Sequence, residues 1–253
     1  MDLGLKGLRA VVTGGTKGIG RAIAATLAAE GVHVAFCARH PLEVGKTIED
    51  FVPYGVKLMG RGLDVADGAA LSAFVNDAAA AFGGLDIVVA NVSALAIPND
   101  EANWQRGFEV DMMGTVRLVN AAMPHLEKSD HASIVTISSV SGREIDFASG
   151  PYGAFKAAIV HYTQGLAYHL AGKKIRANTV SPGNTYFEGG VWNQIEHGNP
   201  ELYKMALSLN PTGRMGTPQE MANAAVFLAS PAASFISGTN LLVDGALTKG
   251  VQL

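Results

Sequence analysis

The chain of 253 residues contains one cysteine, Cys37, which rules out a disulfide framework within the chain and suits a reducing compartment. Charge is also sparse. Only 16% of residues are charged, and 19 basic against 22 acidic side chains leave a formal charge of −3. No basic stretch of the kind that tracks a nucleic-acid backbone is present. The one cationic run, Gly172-Lys173-Lys174-Ile175-Arg176, reads as a solvated helix end, where positive charge suits the helix dipole. No apolar run reaches the roughly 20 residues needed to span a bilayer. The opening "MDLGLKGLRAVVTGG" lacks the charged-then-apolar layout of a secretion signal. There is no His-Glu-x-x-His and no cysteine cluster, so no metal is expected. No Pro/Ser-rich linker or solenoid-period repeat divides the chain. The expectation is one soluble cytoplasmic domain over residues 1–253, with no nucleic-acid or membrane partner.

Hydrophobic residues, by contrast, make up 48% of the chain, enough for a large dry core. They fall into alternating strand-like and helix-like segments. Strands are expected at 9–15, 32–38, 56–65, 85–93, 132–139 and 176–183, with a last one in "TNLLVDG". Cys37, within "VHVAFCA", reads as a small buried strand residue. Helices are expected after the first strand, at 68–83, as one long element at 102–126, at 151–172, and in "TPQEMANAAVFLAS". Strands joined through helices require crossovers, hence a mostly parallel sheet covered on both faces, an α/β fold. Residues 184–216 read as a long irregular segment, of the kind that forms a lid over a binding site.

The motif "TGGTKGIG" (13–20) follows the first strand directly and opens a helix. Glycine lets the backbone turn sharply and approach a pyrophosphate, while free N–H groups and the helix dipole attract its charge. Gly14, Thr16, Lys17, Gly18 and Ile19 are therefore candidate dinucleotide contacts. An NAD site usually places an acid about 20 residues beyond the glycines, on the ribose 2′-hydroxyl. Here the corresponding position is Arg39, and no acid precedes it in that strand. A guanidinium can pair with a 2′-phosphate in bidentate fashion, and Lys17 would add a second positive charge, so NADP(H) is expected ahead of NAD(H).

Further along, "SSVSGREIDFASGPYGAFK" (138–156) places Tyr152 and Lys156 one helical turn apart, with Ser139 upstream at a strand end. Residues i and i+4 share a helix face. A free phenol, with a pKa of about 10, is a poor base at neutral pH, but a neighbouring ammonium favours the phenolate. Such a tyrosine can give a proton to an alcohol oxygen or take one from it. Ser139 would hydrogen-bond the reacting carbonyl oxygen, at the sheet edge where open α/β folds bind ligands.

Taken together, "TGGTKGIG", "ISS" with Ser139, "YGAFK" and "SPG" with Pro182-Gly183 resemble, in order and spacing, the motifs of the short-chain dehydrogenase/reductase family. The resemblance runs through the "LLVDGA" ending. It implies a Rossmann-type, doubly wound parallel sheet of seven strands in order 3-2-1-4-5-6-7, in a three-layer α/β/α sandwich. It also implies a homo-oligomer, a tetramer or dimer. By this resemblance Tyr152 is the acid/base, Lys156 also binds the nicotinamide ribose, and Ser139 orients the substrate. Asp64 and Val65 match adenine contacts, Asn91 matches a residue near the adenine ribose, and Pro182, Gly183 and Thr185 match the segment beside the nicotinamide carboxamide.

Three positions depart from the family pattern. "ANVS" (90–93) stands where Asn-Asn-Ala-Gly is usual, Asp111 stands where an asparagine is expected, and Phe187 where threonine is common. The activity implied is NADP(H)-dependent interconversion of a small, apolar ketone or aldehyde and an alcohol. Two alternatives are a 3-oxoacyl-carrier-protein reductase and a non-catalytic NADP(H)-binding regulator. The first would need a basic face for its acidic carrier, whereas 184–210 carries Glu188, Glu196 and Glu201 against Lys204. Tyr186, Phe187 and Trp192 are expected to line an apolar pocket. His161, His169 and Trp104 read as helix-face residues.

Overall fold

A computed structural model describes residues 2–251. Its centre is one parallel sheet with strand order β3-β2-β1-β4-β5-β6-β7. In chain order the elements are β1 (Arg9–Thr13), α1 (Gly18–Ala29), β2 (His33–Ala38), α2 (Pro41–Phe51), β3 (Leu58–Gly62), α3 (Gly68–Phe82) and β4 (Ile87–Ala90). There follow α4 (Glu101–Gly107), α5 (Gly114–Leu126), β5 (Ser133–Ile137), α6 (Pro151–Leu170) and β6 (Arg176–Pro182). The chain then forms α7 (Val191–Gly198), α8 (Pro200–Ser208), α9 (Pro218–Ala229) and β7 (Asn240–Val243). The seven strands and their order are those the motifs imply.

The inner strands are near-continuous apolar runs because helices cover both faces of the sheet. Every residue of β4 and β5 is buried. On one face Phe74 and Leu71 of α3 pack with Leu118 and Leu126 of α5. On the other, Ile23 and Leu27 of α1 pack with Val226 of α9 and Phe36 of β2. Each such fully buried side chain contributes about 1.5–3 kcal/mol by leaving water. Cys37 belongs to this core at 0% exposure, as its strand position predicted, and burial pushes its thiol up to about 12. No helix among the described residues is long and apolar enough to cross a membrane.

The structure corrects three expectations. The segment 102–126 is not one helix: α4 and α5 are separated by a π-helical stretch, Phe108–Met113. The segment 184–216 is not irregular throughout, because α7 and α8 lie within it. The start of α8 was legible: Asn199 caps it by accepting from the Leu202 N–H at 3.2 Å, and Pro200 opens it. The third is α2, which the sequence reading passed over. Pro41 at its first turn and buried Val44 and Phe51, with Ile48 packed beside them, carry its signature.

β1, β4, β5 and β6 all point their C-terminal ends the same way, and the chain order reverses direction across β1 and β4. Open α/β sheets bind ligands in the crevice at such a switch point.

Candidate active site

At that edge lies one cleft of about 910 Å³, and every catalytic and coenzyme residue named from the sequence lines it, from Gly14 and Arg39 at one end to Ser139, Tyr152 and Lys156 at the other. The chain is built so that the glycine turn can sit close to its surroundings. Gly14 (φ 71°) and Gly18 (φ 50°) hold backbone angles that favour glycine. A Cβ on Gly20 would stand 2.2 Å from the Gly14 carbonyl oxygen. Asn91 braces the turn: its side-chain amide donates to the Thr13 carbonyl at 3.1 Å and the Gly14 carbonyl at 3.4 Å. This cradle at the start of α1, with the Phe187 ring against Gly18, has the backbone of a dinucleotide pyrophosphate site.

The two cations expected at the adenosine end differ in their surroundings. Arg39 is exposed beside the cleft just past β2, with no ion-pair partner among the described residues. Lys17 donates to Glu43 Oε1 at 2.7 Å. Its charge is therefore shared with a carboxylate on α2, the helix the sequence reading missed, and it is not the free second cation expected there. The hydrogen bond from Lys17 holds the Glu43 carboxyl below its ordinary range.

At the other end, α6 begins at Pro151 and carries Tyr152 and Lys156 on one face. The Lys156 ammonium lies 5.6 Å from the Tyr152 ring centroid, within cation–π range. Lys156 is 2% exposed, and its ammonium donates to the Ile137 carbonyl at the end of β5 at 3.1 Å. Ser138 ties the same strand end to α6 by donating to the Lys156 carbonyl at 2.8 Å. Asp111 Oδ1 lies 3.3 Å from the ammonium, and Oδ2 accepts from the Ala94 N–H at 2.8 Å. The residue flagged as a departure thus sits against the lysine itself.

Ser139 is held by neighbours the sequence reading missed. Its hydroxyl accepts from the Ser141 N–H at 3.2 Å and donates to Ser141 Oγ at 3.3 Å, and Ser141 donates on to Asp146 at 2.6 Å. Ser141 and Asp146 lie within the quoted stretch "SSVSGREIDF", and their Ser-x-x-x-x-Asp spacing across a loop carries no helical or strand period that would have signalled the pairing.

The aromatic residues after β6 divide. Phe187 and Trp192 line the cleft, Phe187 with its ring over Gly18. Tyr186 does not line it: its hydroxyl donates to Glu196 and accepts from Asn193, and its ring packs edge-on to Tyr203 beneath α7 and α8. His161 and His169 are exposed on α6, and no group of side chains able to hold a metal occurs among the described residues. Trp104 is partly exposed, packs edge-on against Phe155 of α6 and donates to Asn99.

Comparison with known proteins agrees with this geometry. A family model described as enoyl-(acyl carrier protein) reductase matches residues 14–248. Isoepoxydon dehydrogenase of Penicillium expansum is 40% identical over 259 residues, covering 100% of this chain and 99% of that protein. A 7α-hydroxysteroid dehydrogenase, solved with NADH and 7-oxoglycochenodeoxycholic acid, superposes with a TM-score of 0.90 at 30% identity, over 97% of this chain and 96% of that one. A short-chain dehydrogenase of Burkholderia cenocepacia, solved with NADP, gives a TM-score of 0.86 at 29% identity, over 96% and 99%. The chain belongs to the short-chain dehydrogenase/reductase family of oxidoreductases, whose solved members include both NAD(H) and NADP(H) complexes.

Proposed function

We propose that the protein is an NADP(H)-dependent oxidoreductase that interconverts a ketone or aldehyde and an alcohol through Ser139, Tyr152 and Lys156. The observation that carries this reading is the buried Lys156 ammonium held 5.6 Å from the Tyr152 ring, at the wall of a cleft that begins on the glycine turn. Binding a nucleotide alone would not call for a phenol placed beside a cation, which argues against a non-catalytic regulator. Bound in the cleft, the nicotinamide supplies hydride to the carbonyl carbon or takes it from the alcohol carbon. Ser139 holds the substrate oxygen, and in the reducing direction Tyr152 gives that oxygen its proton. Lys156 favours the phenolate that remains.

The preference for NADP(H) rests on Arg39, exposed at the lip with no acid at the end of β2. Gly14, Thr16, Gly18 and Ile19 would receive the pyrophosphate and its neighbours. Asp64, Val65 and Asn91 would flank the adenosine, and Pro182, Gly183 and Thr185 the nicotinamide. The lid would be 184–216, with Phe187 and Trp192 facing the ligand.

Leu95, Ile97, Phe147 and Trp192 make the substrate end largely apolar, which suits a ketone of modest size. The description of the matching family model keeps a carrier-protein substrate in view. The acids Glu188, Glu196 and Glu201 on the lid make a poor face for an acidic carrier. A free ketone should therefore be reduced with at least as high a kcat/KM as its carrier-bound counterpart. We also read the chain as a homo-oligomer subunit, a tetramer or dimer, as its resemblance to the family implies.

The test is Tyr152→Phe. Turnover with a ketone panel should fall by about a thousandfold or more while NADPH affinity, measured by fluorescence titration, changes little. Retained turnover would refute the catalytic assignment.

A further inference from the structure

Asp111 and Lys156 form a carboxylate–ammonium pair sealed from solvent, with side chains 4% and 3% exposed and 3.3 Å between Oδ1 and Nζ. The carboxylate is fixed from behind. Its Oδ2 accepts the Ala94 N–H at 2.8 Å, and its residue lies in the π-helical stretch Phe108–Met113, where Thr115 donates to the Asp111 carbonyl at 2.7 Å. π-Helical bulges are frequently found at functional sites. Oδ1 has no hydrogen-bond donor among the described residues, so its contact with the ammonium is one of charge with charge. Among the described residues no other acid lies within salt-bridge distance of the lysine. The ammonium's one hydrogen-bond acceptor is the Ile137 carbonyl, which is neutral.

The other charged side chains lining this part of the cleft have their own engagements or none with Lys156. Glu109 pairs with Arg117 at 2.9 Å, Asp146 accepts from Ser141 and from the Ala148 N–H, and Arg106 forms no salt bridge among the described residues.

We propose that Asp111 acts through Lys156: its ionised carboxylate offsets part of the charge of an ammonium that the Ile137 carbonyl also holds, thereby setting the pH at which Tyr152 becomes phenolate. This rests on the reading of Tyr152 as the proton-exchanging group. The sign follows from electrostatics. A carboxylate 3.3 Å from the ammonium weakens the positive field that the ring, 5.6 Å from the same ammonium, experiences, so removing the carboxylate while Lys156 stays charged favours the phenolate. In the oxidising direction, where the phenolate takes the alcohol proton, activity should then rise at lower pH.

Two readings decide the matter, and one of them does not depend on turnover. The first is the Tyr152 tyrosinate absorbance, identified by its absence in Tyr152→Phe. In Asp111→Asn it should appear about one pH unit lower than in the parent protein. The rising limb of kcat/KM for alcohol oxidation should move with it, while coenzyme affinity stays level. Asp111→Ser removes the charge without bringing an amide NH₂ against the ammonium, and should shift both in the same direction.

An unchanged or upward-moving tyrosinate titration in either folded variant overturns the proposal, as does a loss of thermal stability with no movement of the pH limb. If neither variant folds, the unmodified protein still decides: the Asp111 side-chain carbon resonance should report an ionised carboxylate at neutral pH, and a neutral carboxyl there overturns the proposal. Should Tyr152→Phe retain turnover while the tyrosinate titration moves as stated, the catalytic reading fails and the charge coupling stands.

Discussion

Two lysine–carboxylate pairs stand at opposite ends of the same cleft, the second with only its lysine in the wall, and they differ in almost everything except their partners' charges. Lys17 and Glu43 meet at 2.7 Å with side chains 65% and 34% exposed. Lys156 and Asp111 meet at 3.3 Å with side chains 3% and 4% exposed. Breaking the shorter contact is the cheaper of the two. In water-like surroundings the pair gains little and its long side chains give up conformational freedom, so exposed pairs contribute about 0–1 kcal/mol. Inside the protein the same two charges have lost their hydration, and taking away one partner strands the other. Distance alone therefore ranks these pairs in the wrong order.

The largest test of that ranking is Asp111→Leu. It should lower stability by about 3–5 kcal/mol, measured by urea unfolding with the slope unchanged, because it leaves the Lys156 ammonium buried and unpaired. Glu43→Gln measured the same way should change stability by less than about 1 kcal/mol. Equal losses in the two variants would undo the comparison.

A pair of intermediate burial sharpens it. Arg9 grips Asp86 through Nε and Nη2, both at 2.7 Å, with side chains 26% and 2% exposed. Burial alone would raise the Asp86 carboxyl, but hydrogen bonds from Arg9 and Ser129 bring it below the ordinary value of 3.8. A carboxyl depressed on folding adds stability at pH above its unfolded value, and that stability drains away as pH falls through the folded value. Asp86→Asn should therefore cost about 2 kcal/mol at pH 7. The gap between variant and parent should narrow as pH drops below about 4, and a gap constant from pH 7 to 3 would contradict this account.

The smallest effect lies at the adenosine end. Glu43→Gln, by releasing Lys17 and removing a negative charge, should raise the NADPH-over-NADH ratio of kcat/KM about threefold, an effect that 0.5 M salt should erase. Arg39→Ala should lower the same ratio by at least tenfold, since it removes a charge-assisted contact with the 2′-phosphate. An unchanged ratio in Arg39→Ala would mean that another group reads the ribose.

The sequence declares the sheet well because burial on both faces writes each strand as an unbroken apolar run, as in "SIVTI" of β5. It declares the glycine turn and the Tyr152–Lys156 spacing because both are local in the chain. What it hides is non-local or weakly periodic. α7 and α8 are too short for their apolar faces to repeat. The break between α4 and α5 inserts a π-helical stretch into a segment whose composition is helical throughout. Glu43 reaches Lys17 only because α2 folds back beside the glycine turn, 26 positions away in the chain. Asp111 was conspicuous as a departure from a family pattern, yet its contact with Lys156 across 45 positions (156 − 111) exists only in three dimensions. Tyr186 shows the opposite failure: an aromatic cluster beside the cleft drew all three of its members into the pocket, whereas the fold turns one of them into the lid's own packing.

Cys37 lies at the end of β2, and its carbonyl takes the N–H groups of Gly14 and Gly15 at 2.8 and 3.1 Å. A thiol so enclosed, and so reluctant to ionise, meets an oxidant or an alkylating reagent only when the structure around it opens. Because it is the sole sulfhydryl in the chain, uptake of label by the native protein reports openings around β2 beside the cleft and needs no engineered probe.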